Sequence, residues 1–182
     1  MRYLVISDIH GASQALEQAL SWKETLGAEK ILLLGDVLYH GPRNDLPVPY
    51  APKEVAERLN GLKEQIVSVQ GNCDAEVDQM VLEFPIMKAF EILRLEDGRK
   101  VILTHGHRNE YQMGLNPGSV LLSGHTHIAT AEQDAEGVYR CNPGSVSMPK
   151  GMLPASFGLL DEKGFAVLDL AGKELLSIKF KG

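Results

Sequence analysis

Residues 3–11 read Tyr3-Leu4-Val5-Ile6-Ser7-Asp8-Ile9-His10-Gly11. Four apolar residues in a row, without alternation, describe a strand buried on both faces. The strand gives way at once to a carboxylate, an imidazole and a glycine. The pattern returns four times. Ile31–Leu34 leads into Gly35-Asp36, and Ile66–Val69 into Gln70-Gly71-Asn72-Cys73-Asp74. Val101–Leu103 leads into Thr104-His105-Gly106-His107, and Val120–Leu122 into Ser123-Gly124-His125-Thr126-His127. In open α/β sheets ligands bind at the carboxyl ends of strands. Taken singly, Asp8 reads as a helix cap, His105 as a satisfied strand-end imidazole and Asn72 as a turn residue. Five strands that each deliver Asp, Asn or His to the same kind of edge mark a site.

Between the first three runs the apolar period is helical. Ala12, Ala15, Leu16, Ala19 and Leu26 share one face. Val55, Leu59 and Leu62 share another, with Pro52 suited to a first turn. Strands alternating with helices predict βαβ units and parallel pairing. From Val138 the character changes to short runs: Val138–Arg140, Phe157–Leu160, Phe165–Leu170 and Leu175–Phe180. Leu160-Asp161-Glu162-Lys163-Gly164 reads as a hairpin turn. This region is expected to be antiparallel and to form a second sheet packed on the first. No linker interrupts the 182 residues, so residues 1–182 are expected to form a single α/β domain.

The net charge of −6 argues against a broad nucleic-acid-binding surface. No apolar run approaches the ~18 residues of a membrane span. The first run ends at Asp8, too soon for a signal-peptide core. Cys73 and Cys141 are too few for a disulfide scaffold. These features predict a reduced, cytoplasmic protein with no membrane partner, and they leave a homo-oligomer open.

The spacing at the strand ends suits a metal. Asp8 and His10 are two residues apart, as are His125 and His127, and in an extended segment such pairs point to one side. Glycines beside them allow tight turns and close backbone approach. Imidazole nitrogens mixed with carboxylate and amide oxygens suit Mn, Fe, Co, Ni or Zn better than Ca or a thiolate zinc site.

Asp8-x-His10, Gly35-Asp36, Gly71-Asn72, His105-Gly106 and Gly124-His125-x-His127 together resemble the calcineurin-like metallophosphoesterase signature, from Arg2 to about Met148. Asn72-Cys73-Asp74, His40-Gly41-Pro42-Arg43-Asn44 and Asn142-Pro143-Gly144-Ser145 are similar to the small YfcE-type phosphodiesterases of that family. The resemblance implies a four-layer α/β/β/α sandwich of two mixed β-sheets flanked by helices, with two divalent ions between the sheet edges. Mn is the first expectation, with Ni, Fe, Co or Zn as alternatives. Asp8, His10 and His127 would hold one ion, Asn72, His105 and His125 the other, and Asp36 would bridge them. Asp36, Asn72, Cys73, Asp74 and His105 are the expected catalytic residues. The implied reaction is hydrolysis of a small phosphodiester by a metal-bridging hydroxide. Two ions about 3.5–4 Å apart, set against two carboxylates and a hydroxide, would leave about one positive charge for a phosphate anion.

One position departs from the family. Most active members carry His after the Gly-Asn pair, where it can protonate the leaving oxygen, and here that residue is Cys73. Asp74, which would orient that His, has no imidazole to orient. Cys73 could donate from its thiol or merely fill space. A catalytically silent binding scaffold on the same fold is the alternative function. The metallo-β-lactamase alternative fails, because Ile128-Ala129 follows His127 where its clustered ligand string would continue.

Several further residues are open to two readings. The Pro-rich segment Gly41 to Pro52 is too long for a tight connection and is expected to wall the active-site cleft. Arg43 within it suits phosphate but equally reads as a solvated charge. Ser7 and Thr104 could support ligands or simply pack. His107 could contact substrate or solvent. The pentapeptide Asn116-Pro117-Gly118-Ser119-Val120 recurs as Asn142-Pro143-Gly144-Ser145-Val146, which reads as shared turn chemistry.

Overall fold

The computed structural model describes residues 1–108 and 114–181. The first βαβ units form as the periodicity dictates. Strands β1 (Tyr3–Ile6), β2 (Lys30–Leu33) and β3 (Ile66–Ser68) pair in parallel. Helices α1 (Ser13–Thr25) and α2 (Pro52–Asn60) connect them, and Pro52 occupies the first turn of α2. Leu62 lies beyond the end of α2 but still packs on the same core. Leu16, Ala19 and Leu20 of α1 and Val55, Ala56 and Leu59 of α2 bury against Leu4, Ile6, Ile31 and Leu33.

The opposite face of this sheet turns Tyr3, Val5, Leu32 and Leu34 toward a second sheet. That sheet runs β4-β5-β6-β8-β7, with β4 (Phe90–Arg94), β5 (Lys100–Thr104), β6 (Val120–Leu122), β7 (Thr130–Gln133) and β8 (Tyr139–Asn142). Val101, Leu103, Val120, Leu122, Tyr139 and Cys141 supply its half of the inter-sheet core. Strands β5, β6 and β8 are parallel, while β4 and β7 pair antiparallel at the edges. The outer face of the second sheet carries a smaller cluster of Ile102, Leu121 and Val138, with Leu115 packed on it.

Of the last third, the run at Val138–Arg140 does enter the second sheet, but the three later runs do not, contrary to expectation. Strands β9 (Ser156–Asp161), β10 (Gly164–Asp169) and β11 (Glu174–Lys179) extend the first sheet, in the order β11-β10-β9-β1-β2-β3. Strand β9 pairs antiparallel with β1, Tyr3 opposite Leu160. Burial explains the placement. Phe157 and Leu168 join the helix-side core, while Leu160, Phe165 and Val167 join the inter-sheet core. A hairpin apolar on both faces belongs inside a layered stack. Its turn is Glu162-Lys163, as the sequence reads. The second sheet is instead built from β4 to β8. Neither β4 nor β7 carried a strand signal, because β4 exposes Phe90 and Ile92 and β7 is largely polar.

The carboxyl ends of β1, β2 and β3 therefore meet those of β5 and β6 from the facing sheet. The short α3 (Glu76–Gln79) follows the β3 end.

Candidate metal centre

Among the described residues, five that are not glycine have positive φ: Asp8 (54°), His10 (50°), Asp36 (56°), His125 (66°) and His127 (60°). All five are expected metal ligands. Left-handed backbone costs a residue with a Cβ about 1 kcal/mol or more, and such strain concentrates at functional sites. The expected reason for convergence needs correction here. Asp8, His10, His125 and His127 do not lie in extended segments, so alternation does not aim their side chains. Left-handed turns aim them. Asp8 does not cap α1 either, since that helix begins after Ala12 with no side-chain cap.

Neighbouring contacts hold this backbone in place. Ser145 Oγ and Ser147 Oγ both donate to the carbonyl of Asp8, at 2.8 and 3.0 Å. Asn142 Nδ2 donates to the carbonyl of Gly124 at 2.8 Å, steadying the segment that carries His125 and His127. A Cβ on Gly124 would fall 1.9 Å from Ser7 Oγ, and one on Gly71 would fall 2.1 Å from Asp36 Oδ1. Those two glycines let the segments close on one another.

The imidazoles are locked by main-chain carbonyls. His10 Nδ1 pairs with Tyr39 O (2.8 Å), His105 Nδ1 with Leu34 O (2.6 Å) and His127 Nδ1 with Met148 O (2.6 Å). A carbonyl only accepts, so each Nδ1 carries a hydrogen, and Nε2 is the nitrogen that faces inward and offers its lone pair once unprotonated. The three Nε2 atoms lie 3.7, 3.9 and 3.3 Å from Asp8 Oδ1, in the order His10, His105, His127. Asp8 is fully buried. Ser7 and the His125 amide hydrogen-bond its Oδ2, while Oδ1 has no hydrogen-bond partner among the described residues. A buried carboxylate oxygen that faces three Nε2 atoms, and has no hydrogen-bond partner among the described residues, fits a divalent cation.

Asp36 lies at the junction of the two halves. Its Oδ2 is 3.7 Å from His10 Nε2 and 3.5 Å from His105 Nε2, and its Oδ1 accepts from the Cys73 amide at 2.8 Å. Asp8, His10 and His127 form one group able to hold a metal, and Asp8, Asp36 and His105 form another. Asn72 joins the second group, with Oδ1 3.0 Å from His105 Nε2. His125 falls outside these groups among the described residues, its ring centre 5.1 Å from that of His105.

Burial opposes ionisation of Asp8 and Asp36, but the facing imidazoles outweigh it and hold both carboxyls below the usual range. Burial likewise disfavours the charged imidazoles, and here the carboxylates prevail. They raise His10, and they raise His105 to about 9. Burial, then the charge of His105, lowers His107 and His125. Without a metal, protons on His105 and His10 take the cation's place.

Asp74, expected among the catalytic residues, turns both carboxylate oxygens to main-chain amides. Oδ2 accepts from the Asp36 and Gly71 amides at 2.8 and 2.7 Å, and Oδ1 accepts from Val37 at 2.8 Å. With both oxygens spent on main-chain amides, it acts through Asp36. Cys73 Sγ groups within 4.8 Å of ligand atoms of His10 and Asp36. Burial, and then the Asp36 charge, push its thiol up to about 12. Thr104 Oγ1 accepts from the Gly106 amide. His107 stands beside the site, its ring centre 5.3 Å from that of His105. Arg43 is exposed. The Gly41–Pro52 segment comes close to the site, because a Cβ on Gly41 would sit 3.4 Å from Cys73 Sγ.

Sequence reasoning missed the support given by Asn142, Ser145 and Ser147. The repeated pentapeptide held the signal, but one copy alone carries it. Ser145 Oγ reaches the Asp8 carbonyl, whereas Ser119 Oγ accepts from the Asn116 amide at 3.3 Å in its own turn.

The model of the calcineurin-like phosphoesterase superfamily domain matches residues 1–164. The chain belongs to that superfamily. Among its members, phosphodiesterase YfcE of Escherichia coli strain K12 is 47% identical over 179 residues, covering 97% of this chain and 96% of that one. The solved structure of Yfce, a phosphoesterase from E. coli, matches with a TM-score of 0.94 at 44% identity, over the whole of both chains. A novel archaeal phosphodiesterase shares the superfamily fold, with a TM-score of 0.61 at 22% identity over 99% of this chain and all of that one. The two-sheet architecture is that of the metallophosphoesterases. No helix of the described residues is long and apolar enough to cross a membrane.

Proposed function

We propose that the chain is a phosphodiesterase working with two divalent ions held where the two sheets' strand ends meet. Asp8, His10 and His127 would hold one ion, Asn72, His105 and His125 the other, and Asp36 would bridge. Mn is the first choice of metal. One observation carries this reading: Asp8 Oδ1, buried and without a hydrogen-bond partner, faces three imidazole nitrogens whose opposite nitrogens are committed to carbonyls. The identity with a protein named phosphodiesterase supports a diester over a monoester.

Such ions, when bound, activate water and neutralise charge on the phosphoryl oxygens. The chain's own residues supply position. The carbonyls of Leu34, Tyr39 and Met148 fix which imidazole nitrogen faces inward. Ser7 occupies one oxygen of Asp8 and leaves the other for a cation. Asp74 holds the backbone of Asp36, and Asn72 presents its amide beside His105. Both cysteines are free thiols, in keeping with a reducing cytoplasm.

The test is hydrolysis of a panel of phosphomonoesters and phosphodiesters by metal-stripped protein reloaded in turn with Mn, Ni, Fe, Co and Zn. Turnover of diesters that depends on the added metal supports the reading. Turnover that persists without metal, or is confined to monoesters, overturns it.

A further inference from the structure

A cavity of about 340 Å³ opens beside Cys73. Leu38, Tyr39, Tyr50 and Pro52 line one side, from the segment after β2. Ala75, Val77 and Asp78 line the other, at the start of α3. Cys73 belongs both to this lining and to the group formed with His10 and Asp36, so the cavity adjoins the candidate metal centre.

The lining reads as a receptor for an uncharged ring. It contains no Lys, Arg or His. Its one carboxylate, Asp78, is engaged by the Ala75 amide at 2.9 Å. Burial keeps the Tyr50 phenol neutral by raising its pKa. Tyr39 and Tyr50 flank the His40 ring edge-on, with centres 4.8 and 5.4 Å away. Tyr39 and Val77, both in the lining, are 40% and 65% exposed. Aromatic and apolar walls suit an aromatic guest. Among the described residues, the lining offers a second phosphate or a carboxylate no Lys, Arg or His.

The walls are also preformed. The carbonyl of Tyr39 holds His10, the Ala51 amide donates to Gly11 O at 2.8 Å, and Tyr50 bridges to Ala12. A Cβ on Gly11 would strike the Tyr50 ring at 2.4 Å, so that ring is seated on the chain just after His10. The volume lies at the small end of the roughly 300–1,000 Å³ of ligand pockets. That is room for one ester substituent, not for a strand of nucleic acid.

We propose that this cavity is the subsite for one substituent of the phosphodiester, and that it selects a compact, uncharged aromatic group. The inference rests on the reading of the adjoining centre as the place of phosphodiester cleavage. It is tested on the metal-loaded enzyme by competitive inhibition with the monomethyl esters of phenylphosphonic and methylphosphonic acid. Both probes are monoanions with a hydrolysis-resistant P–C bond and the same poor methoxide leaving group, so leaving-group differences do not enter the comparison.

The phenyl probe should bind about tenfold tighter than the methyl probe. The ratio should fall to about threefold or less in Tyr39→Ala and in Val77→Ser. Leu46→Ala, on the same segment but outside the lining and 54% exposed, should keep it. Equal inhibition by the two probes in the unmodified enzyme overturns the inference. So does a ratio that survives both cavity substitutions. If aryl phosphodiesters are hydrolysed while the ratio is flat, the subsite alone is rejected. If no phosphodiester is hydrolysed with any metal, the reading of the centre fails instead, and direct calorimetric titration with the two phosphonates still decides the cavity.

Discussion

The thiol of Cys73 stands close to ligand atoms of His10 and Asp36. Pushed up to about 12, it is a reluctant proton donor, and a thiol donates hydrogen bonds weakly. Positioned general acids contribute about 10²–10⁴-fold. The enzyme is therefore expected to favour diesters with acidic leaving groups, aryl over alkyl. Cys73→His should raise kcat/KM most for poor leaving groups and little for aryl ones. A series of leaving-group pKa values measured for both proteins checks this, and an unchanged slope would mean that the proton comes from elsewhere. In the Cys73→His variant, Asp74 can orient the new imidazole only by releasing an amide of Asp36, Val37 or Gly71. Residue identities at the centre were legible because each follows a buried strand. Their left-handed backbone was not, because Asp and His carry no sequence mark for positive φ.

At the scale of elements, the strand runs of the two parallel sets were legible and their assignment to sheets was not. β9 and β10 look like any short antiparallel hairpin, and only burial on both faces draws them beside β1. β7, with its polar Thr130-Ala131-Glu132-Gln133, forms because β8 offers it an edge. The repeated pentapeptide shows how context decides use. Ser145 joins the Asp8 carbonyl to the amides of Ser147 and Met148, with no exposed surface. Ser145→Ala should cost about 1–3 kcal/mol of stability by orphaning buried groups. It should also weaken metal binding by loosening Asp8. The matching change Ser119→Ala, in the other copy, should leave metal affinity unaltered. Denaturant melts and chelator competition on the two variants test the contrast. Equal effects on metal affinity would mean that the Asp8 carbonyl is held by other contacts.

Over the whole molecule, an acidic chain concentrates its buried charge at one junction between two sheets. That arrangement links folding to pH. His105 has a folded pKa of about 9 against an ordinary 6.5, so its ion pairing stabilises the metal-free protein fully below 6.5. That contribution disappears as pH rises through 9. His10 shifts the same way. The melting temperature of metal-free protein is expected to decline between pH 6.5 and 9. Metal affinity should climb over the same interval, because the ions must displace those protons. Thermal melts with and without Mn across this range check both signs, and a metal-free melting temperature that rises instead would contradict the proton assignment.

The central claim, two ions sharing Asp36, is tested most directly by counting metal. Metal-stripped protein is dialysed against saturating Mn and analysed for metal per chain, beside Asp36→Ala. The account predicts two ions in the unmodified protein, and in the variant fewer ions together with a loss of phosphodiester hydrolysis of at least about 10²-fold. One ion or none at saturation in the unmodified protein, or near-unchanged turnover in Asp36→Ala, would contradict it.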